Sequence, residues 1–142
     1  MQLIKIATGL AIAVALVPAR VAAAPTGSSG VDGIYRIAWT EKELEAAGTS
    51  QRYAHANCPG PCVVTMTLKD GRLRLRWSAP PDCLGTYQVI GGTLSIQQKQ
   101  HCHGLVTARW SVVNRQLQLR VTKATDPGDR VLFGGRPWKK IG

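Results

Sequence analysis

The feature that most constrains this chain is an alternation of apolar and polar residues, which begins near Gly33 and recurs almost to the C-terminus. Successive side chains of a β-strand point to opposite faces, so the pattern predicts strands with one apolar and one polar face. Such strands are typical of antiparallel sheets. The apolar positions are Val64, Met66, Leu68, Leu73, Leu75, Trp77, Tyr87, Val89, Leu94, Ile96, Val106, Ala108, Trp110, Val112, Leu117, Leu119 and Val121.

Short turns separate the predicted strands. Asp70-Gly71, Gly91-Gly92 and Asn114-Arg115 each stand between two alternating segments, where two-residue turns connect hairpins. Two further short strands are predicted at Val131–Phe133 and Trp138–Ile141. Seven or eight strands joined in this way most economically close into an all-β, antiparallel up-and-down barrel, which removes exposed edges. A two-sheet sandwich is the alternative fold.

One helix is predicted, over Glu41–Ala47. Thr40 and Glu43 have the spacing of a capping box, and Gly48 follows the last helical residue. We therefore expect a single short helix near the start of the barrel domain, which we place at residues 33–142.

The N-terminus has the pattern of a secretory signal peptide. Lys5 precedes an apolar run from Ile6 to Val17, and small residues follow. We predict cleavage after Ala23, a flexible linker over residues 24–32, and no transmembrane segment in the mature chain. The protein is then secreted or extracytoplasmic, with a formal charge reduced from +10 to +8 because residues 1–23 carry two basic side chains and no acidic ones.

Four cysteines follow the predicted cleavage site. Export favours disulfides, and hairpin folding about Gly91-Gly92 brings Cys83 close to Cys102, which leaves Cys58 to pair with Cys62. The alternative is a zinc site, for which the donors would be His55, Cys58, Cys62, His101, Cys102 and His103. We predict the disulfides, no metal and no cofactor.

Basic residues dominate the polar faces of the strands. Between Pro61 and Thr122 the only acids are Asp70 and Asp82, both in turns. This pattern predicts either a docking face for an anionic cell-envelope surface or the ordinary solvated side of a barrel. Nucleic acid is not a predicted partner, because no aromatic residues are interleaved with the charges. The basic surface residues are Arg72, Arg74, Arg76, Arg109 and Arg120.

Motifs of hydrolases, metalloproteases and P-loop enzymes are absent from the sequence. We therefore predict that the protein is not an enzyme. Aromatic residues are the remaining candidates for a site, because a barrel of about eight strands holds either a packed core or one small ligand. The candidate ligand-binding residues are Tyr35, Trp39, Trp77, Tyr87 and Trp110.

The sequence shows resemblances to two known families. "GIYR" followed by a helix, hairpins and a closing tryptophan strand resembles the lipocalin-like (calycin) barrels, with Tyr35 where those proteins carry tryptophan. The segments "CLGTYQVIGGTLSI", "TARWSVVNRQLQLRV" and "ATDPGDRVLFGGRPWKKIG" resemble the small C-terminal β-domain of some bacterial extracellular solute-binding proteins of ABC transporters. The resemblance implies an extracytoplasmic barrel and ligand association, and it brings no catalytic residues.

The expected function is that of a secreted binding module. Its ligand would be a small apolar or amphipathic molecule, or its partner an anionic envelope surface. Two alternatives remain open: an enzyme inhibitor that acts through the exposed loops at Pro59–Pro61 and Pro80-Pro81, and an extracytoplasmic enzyme.

Overall fold

The computed structural model describes residues 30–142, so the predicted signal peptide and most of the predicted linker lie outside the described residues. Eight strands and three helices make up this part of the chain. In chain order they are β1 (Gly33–Trp39), α1 (Glu41–Ala46), α2 (Gln51–Asn57), β2 (Cys62–Lys69), β3 (Arg72–Arg76), β4 (Cys83–Ile90), β5 (Thr93–Gln100), β6 (Gly104–Val113), β7 (Gln116–Ala124), α3 (Pro127–Gly134) and β8 (Trp138–Lys140).

The strands form one closed barrel in which every pair is antiparallel. Each strand pairs with its neighbours in the sequence, and β8 closes the barrel by pairing with β1. The predicted up-and-down barrel is therefore confirmed. The three hairpin turns lie at one end of the barrel, which we call the turn end. Helices α1 and α2 and the start of α3 lie at the opposite end, which we call the helix end.

The alternation of the sequence places the core inside the barrel. Val64, Met66 and Leu68 of β2 are buried, as are Leu73 and Leu75 of β3. Arg72, Arg74 and Arg76, which alternate with these two leucines, are exposed. Burial of one apolar face per strand removes most large aliphatic side chains from water, which is the main favourable term in folding. The face assignment made from the sequence is confirmed.

The end of the predicted linker belongs to this core. Val31 is fully buried, and its carbonyl accepts a hydrogen bond of 2.8 Å from the Tyr35 hydroxyl. Because β1 begins at the turn end, residues 30–32 approach the barrel there, and Gly30 lies beside the Trp110 ring. Of the predicted linker, these three residues are the ones that the structure describes.

The helices differ in part from the prediction. α1 has the predicted capping box, in which Thr40 and Glu43 each accept a hydrogen bond from the other's backbone N–H. α2 was not predicted. The strand expected at Val131–Phe133 is wrong, because these residues belong to α3. Asp126 caps α3 by accepting a hydrogen bond from the Gly128 N–H, and Pro127 occupies its first turn, where a missing N–H costs nothing.

Both predicted disulfides are present. Cys58 is bonded to Cys62, and Cys83 is bonded to Cys102. Both lie at the helix end of the barrel. They are compatible with an extracellular location, since disulfides persist in oxidising compartments. Within residues 30–142, none of the helices has the length and apolar character that crossing a membrane requires.

Candidate functional site

The five candidate ligand-binding aromatics lie inside the barrel or at its ends. Tyr35, Trp39 and Tyr87 are buried, and Trp77 and Trp110 are half-buried against the core. The Tyr87 hydroxyl donates a hydrogen bond to the Asp32 carboxylate. Each of the three buried rings thus packs in the core, two of them with a hydroxyl partner from residues 31–32.

The structure does not bring these five aromatics together around one cavity. By strand register, Tyr35, Tyr87 and Trp110 lie in the half of the barrel near the turn end. Trp39 ends β1 and Trp77 directly follows β3, so both lie at the helix end. A ligand-binding role for these five residues stays a prediction. Trp77 lines a depression at the helix end that is described below, and the other four residues do not line it.

The five predicted basic residues also form two groups. Arg72, Arg74 and Arg76 are exposed on the outer face of β3. Arg109 and Arg120 are exposed directly opposite each other on β6 and β7, on another part of the barrel wall. Arg72 and Arg74 line a depression in the surface, and Arg76, Arg109 and Arg120 do not.

The depression, which we call the basic groove, runs across the outer face of β2, β3, β4 and β5. Its volume is about 990 Å³, which is at the upper end of the range for ligand sites. Four cationic side chains and one acid, Asp70, line it. The lining residues are Thr67, Lys69, Asp70, Arg72, Leu73, Arg74, Leu84, Gly85, Thr86, Lys99 and Gln100.

An irregularity in β4 shapes the groove. The pairing of β4 with β5 shifts register between Leu84 and Gly85. A Cβ atom at Gly85 would lie 2.0 Å from the backbone oxygen of Gln97, so only glycine fits where the two strands approach so closely. Leu84 is left 39% exposed beside this point. The groove therefore combines cationic walls with a small apolar contact surface.

Like charges face each other in the groove. Lys69 of β2 and Arg72 of β3 are directly opposite partners in the ladder, an arrangement that destabilises a sheet unless a counter-charge intervenes. In the part of the chain that the structure describes, neither side chain forms an ion pair, nor does Lys99. These three cations are available to an external anion.

Asp82 neutralises the other two arginines of β3. Its carboxylate lies 2.5 Å from the Arg74 guanidinium and 3.6 Å from that of Arg76. The pKa of Asp82 lies below its usual value, mainly because the Asp82 carboxylate accepts a hydrogen bond from Arg74. Asp82 follows the Pro80-Pro81 loop and so fixes this loop to the outer face of β3.

A second depression, which we call the end pocket, opens at the helix end. Its volume is about 300 Å³, and five segments contribute to it: α2, the end of β3, β5, the β5–β6 loop and the start of α3. Apart from Trp77 and Cys102, its lining is polar. The lining residues are Tyr53, Asn57, Trp77, Gln98, His101, Cys102, His103, Asp126 and Asp129.

A buried polar triad lies at the end pocket. The Asp129 carboxylate accepts hydrogen bonds from the Tyr53 hydroxyl at 2.7 Å and from the Gln98 side-chain amide at 2.9 Å. Asp129 is 7% exposed and Gln98 is 8% exposed. Burial raises the pKa of Asp129 above its ordinary value, although the two hydrogen bonds act in the opposite direction. Burial and the neighbouring Asp129 likewise raise the pKa of Tyr53.

Sequence reasoning missed this triad. Tyr53 and Asp129 are 76 residues apart, and no local pattern links them. One signal was present at Gln98, which falls in the inward phase set by Leu94 and Ile96 and is therefore a polar residue at a core position. A second signal was the sequence Asp126-Pro127, which is typical of the start of a helix and so indicated that Asp129 lies in a first helical turn.

The raised pKa of Asp129 predicts a pH-dependent stability. A carboxyl whose pKa is higher in the folded than in the unfolded chain stabilises the fold below the ordinary carboxyl pKa, and this contribution is lost as the pH rises through the folded-state value. Asp129→Asn does not ionise. The wild type should therefore lose free energy of unfolding relative to Asp129→Asn as the pH rises from acidic to neutral, measured by urea denaturation.

The matched control for this measurement is Asp70→Asn, which removes an exposed carboxyl from a turn. Its free energy of unfolding at neutral pH should stay within about 0.5 kcal/mol of the wild-type value, as expected for an exposed substitution. A difference between wild type and Asp129→Asn that stays constant with pH would contradict the assigned burial of the ionisable group.

Metal ligation has no support among the described residues, where no three His, Cys, Asp or Glu side chains come close enough to hold an ion. The cysteines that could have bound zinc are not free to do so, because all four are in disulfides. His55 instead lies 3.2 Å from Glu41.

Comparison of the chain with protein-family models, curated proteins and solved structures finds no match. The closed eight-stranded antiparallel barrel is consistent with the lipocalin-like resemblance. A relation to that family, or to the β-domain of solute-binding proteins, stays a prediction. The function is therefore inferred from the groove and the pocket themselves.

Proposed function

We propose that the protein is a secreted, non-enzymatic binding module with a lipocalin-like barrel, and that its basic groove docks on an anionic polymer of the cell envelope. The observation that supports this most is the groove of about 990 Å³ with four cationic side chains and a single acid in its lining. Arginine suits such a role because its guanidinium binds carboxylate or phosphate through two parallel hydrogen bonds.

The shape of the groove favours a chain-like partner. A concave track across four strands can enclose a linear polymer, whereas a membrane surface would contact only its rim. Leu84 offers an apolar contact, and Thr67, Thr86 and Gln100 offer neutral hydrogen-bonding groups between the cations. The formal charge of +8 predicted for the mature chain would also accelerate the encounter with a polyanion by electrostatic steering.

The small-molecule version of the binding function has less support. The hydroxyls of Tyr35 and Tyr87 donate hydrogen bonds within the protein, to residues 31 and 32 respectively. The Arg136 guanidinium lies 3.7 Å from the centre of the Trp39 ring. These contacts hold the three rings in the core, although the Trp39 ring N–H is buried without a hydrogen-bond partner among the described residues. The surface-docking version needs no rearrangement of the barrel.

Binding to immobilised polygalacturonate, a carboxylate polymer, tests the proposal. The double variant Arg72→Ala/Lys99→Ala removes two cations of the groove that have no ion pair in the described chain. We expect its affinity to fall about thirtyfold and its elution to require less salt, since each of the two charge-assisted contacts contributes roughly 1 kcal/mol when well placed. Wild-type binding should weaken steeply with salt.

The matched control is Arg120→Ala/Lys123→Ala, which removes the same charge from the exposed side of β7. Its affinity should fall by no more than about twofold, the effect of net charge alone at moderate salt. Equal losses in the two double variants would refute a specific groove and favour diffuse attraction by the whole surface.

A further inference from the structure

The basic groove and the end pocket are parts of one continuous track. A third depression of about 580 Å³, which we call the rim hollow, connects them. It shares Arg74 and Leu84 with the basic groove, and it shares His101 with the end pocket. The rest of its lining is Pro80, Pro81 and Asp82. A polymer that lies in the groove would therefore be led past the proline loop to the mouth of the end pocket.

The chemistry changes along this track. The groove is cationic, whereas two carboxylates, those of Asp126 and Asp129, line the end pocket. A phosphate or sulfate group placed there would be repelled by them. We therefore expect an uncharged, hydroxyl-bearing unit of the polymer to enter the end pocket. Polyphosphate, which is charged at every unit, does not meet this requirement, and a polysaccharide with uncharged units does.

The triad keeps acceptor capacity for such hydroxyls. Each oxygen of the Asp129 carboxylate accepts one hydrogen bond, and a carboxylate offers about four acceptor positions. The Gln98 amide oxygen lies 3.6 Å from the Cys83 sulfur, which is in a disulfide and has no hydrogen to donate. Among the described residues this oxygen has no donor, although Gln98 is more than nine-tenths buried. An unsatisfied buried acceptor is costly, and a ligand hydroxyl would remove the cost.

An aromatic wall completes the pocket. Trp77 is half-buried in its lining, and an indole ring offers an apolar face to the C–H groups of a sugar ring. The volume of about 300 Å³ lies at the lower end of the range for ligand sites, enough for one ring and not for a longer segment.

We infer that the polymer is an acidic polysaccharide that also contains uncharged units, and that the end pocket holds one uncharged sugar ring between Trp77 and the Gln98–Asp129 pair. This inference rests on the proposed docking function and names the class of its partner. The acidic groups of the polysaccharide lie along Lys69, Arg72 and Lys99, and the hydroxyls of one unit donate to the buried acceptors. The selectivity of the module for sugar polymers over other polyanions comes from the end pocket.

Two ligands and three variants test the inference by titration calorimetry: a galacturonate oligomer in which part of the carboxyl groups are methyl esters, so that neutral rings are available to the end pocket, and a polyphosphate of equal charge. Trp77→Leu should weaken binding of the galacturonate oligomer about tenfold and leave polyphosphate binding unchanged. Arg72→Ala/Lys99→Ala should weaken binding of both ligands. Ile90→Ala, which removes an exposed apolar side chain at the turn end, is the matched control and should change neither.

The outcomes separate the two proposals. If Trp77→Leu leaves galacturonate binding intact, or weakens both ligands equally, the sugar site is refuted while the groove proposal stands. If Arg72→Ala/Lys99→Ala changes the binding of neither ligand, the docking function itself fails. Should Trp77→Leu not fold, Asn57→Ala at the pocket wall replaces it, with the same selective loss expected and the same outcome refuting the site.

Discussion

Gly128→Ala is expected to lower the free energy of unfolding by about 3 kcal/mol, from overpacking and from the loss of a buried hydrogen bond. A Cβ atom at this position would lie 2.2 to 2.4 Å from three carbons of the Tyr53 ring, far inside van der Waals contact. The ring cannot yield without cost, because its hydroxyl is bonded to the buried Asp129 carboxylate. Either α3 moves away from α2, or the Asp129 carboxylate loses a donor.

The control for this prediction is Gly92→Ala in the β4–β5 turn. A Cβ atom there would meet only the end of the Arg109 side chain, at an ordinary 3.7 Å. Its free energy of unfolding, obtained by urea denaturation, should change by less than about 1 kcal/mol. If Gly128→Ala destabilises no more than Gly92→Ala, the close packing of α2 against α3 is wrong, and the end pocket lacks the wall that this packing provides.

The barrel was predictable because its determinants are local. Side-chain alternation has a period of two, so it assigns every strand residue to a face without knowledge of the partner strand. Asp70-Gly71 and Asn114-Arg115 supply backbone conformations with positive φ that suit tight hairpins, and both turns occur where the alternation places them. The Cys83–Cys102 disulfide followed from the same hairpin geometry, since it joins the two strand ends opposite Gly91-Gly92.

The segment after β7 was not predictable in the same way. Val131, Leu132 and Phe133 are consecutive apolar residues, a run whose periodicity does not distinguish a strand from a buried helix turn. Tertiary packing decides it, because Leu132 and Phe133 are both buried in the core from one face of α3. The Asp-Pro start of α3 was the local evidence that favoured the helix.

The candidate site was predictable only in its charge. Arginines at alternate positions of β3 must share one face, so the cationic wall of the groove follows from the sequence. The concavity does not, since it depends on the register shift at Gly85 and on strands that meet through closure of the barrel. The end pocket depends on contacts between residues far apart in the chain, such as Gln98 with Asp129, and no period in the sequence encodes them.

Removal of the Cys83–Cys102 disulfide by substitution of both cysteines with alanine is expected to cost about 3 kcal/mol of the free energy of unfolding. The bond joins residues 19 apart and therefore restricts a substantial loop in the unfolded chain. The Cys58–Cys62 bond spans a separation of only 4, so its removal should cost about 2 kcal/mol by the same entropy argument. Urea denaturation of the two double variants measures both values.

The comparison of the two disulfides is informative because their Cα–Cα distances are nearly equal, at 5.4 and 5.3 Å. Each alanine pair also removes two sulfur atoms that are largely buried, so the loss of packing is similar and the difference reports the loop length. An equal or reversed order of the two costs would contradict the entropic account. It would indicate instead that Cys58–Cys62 holds α2, and with it Tyr53, against the barrel, so that the small loop stabilises the helix end through native contacts.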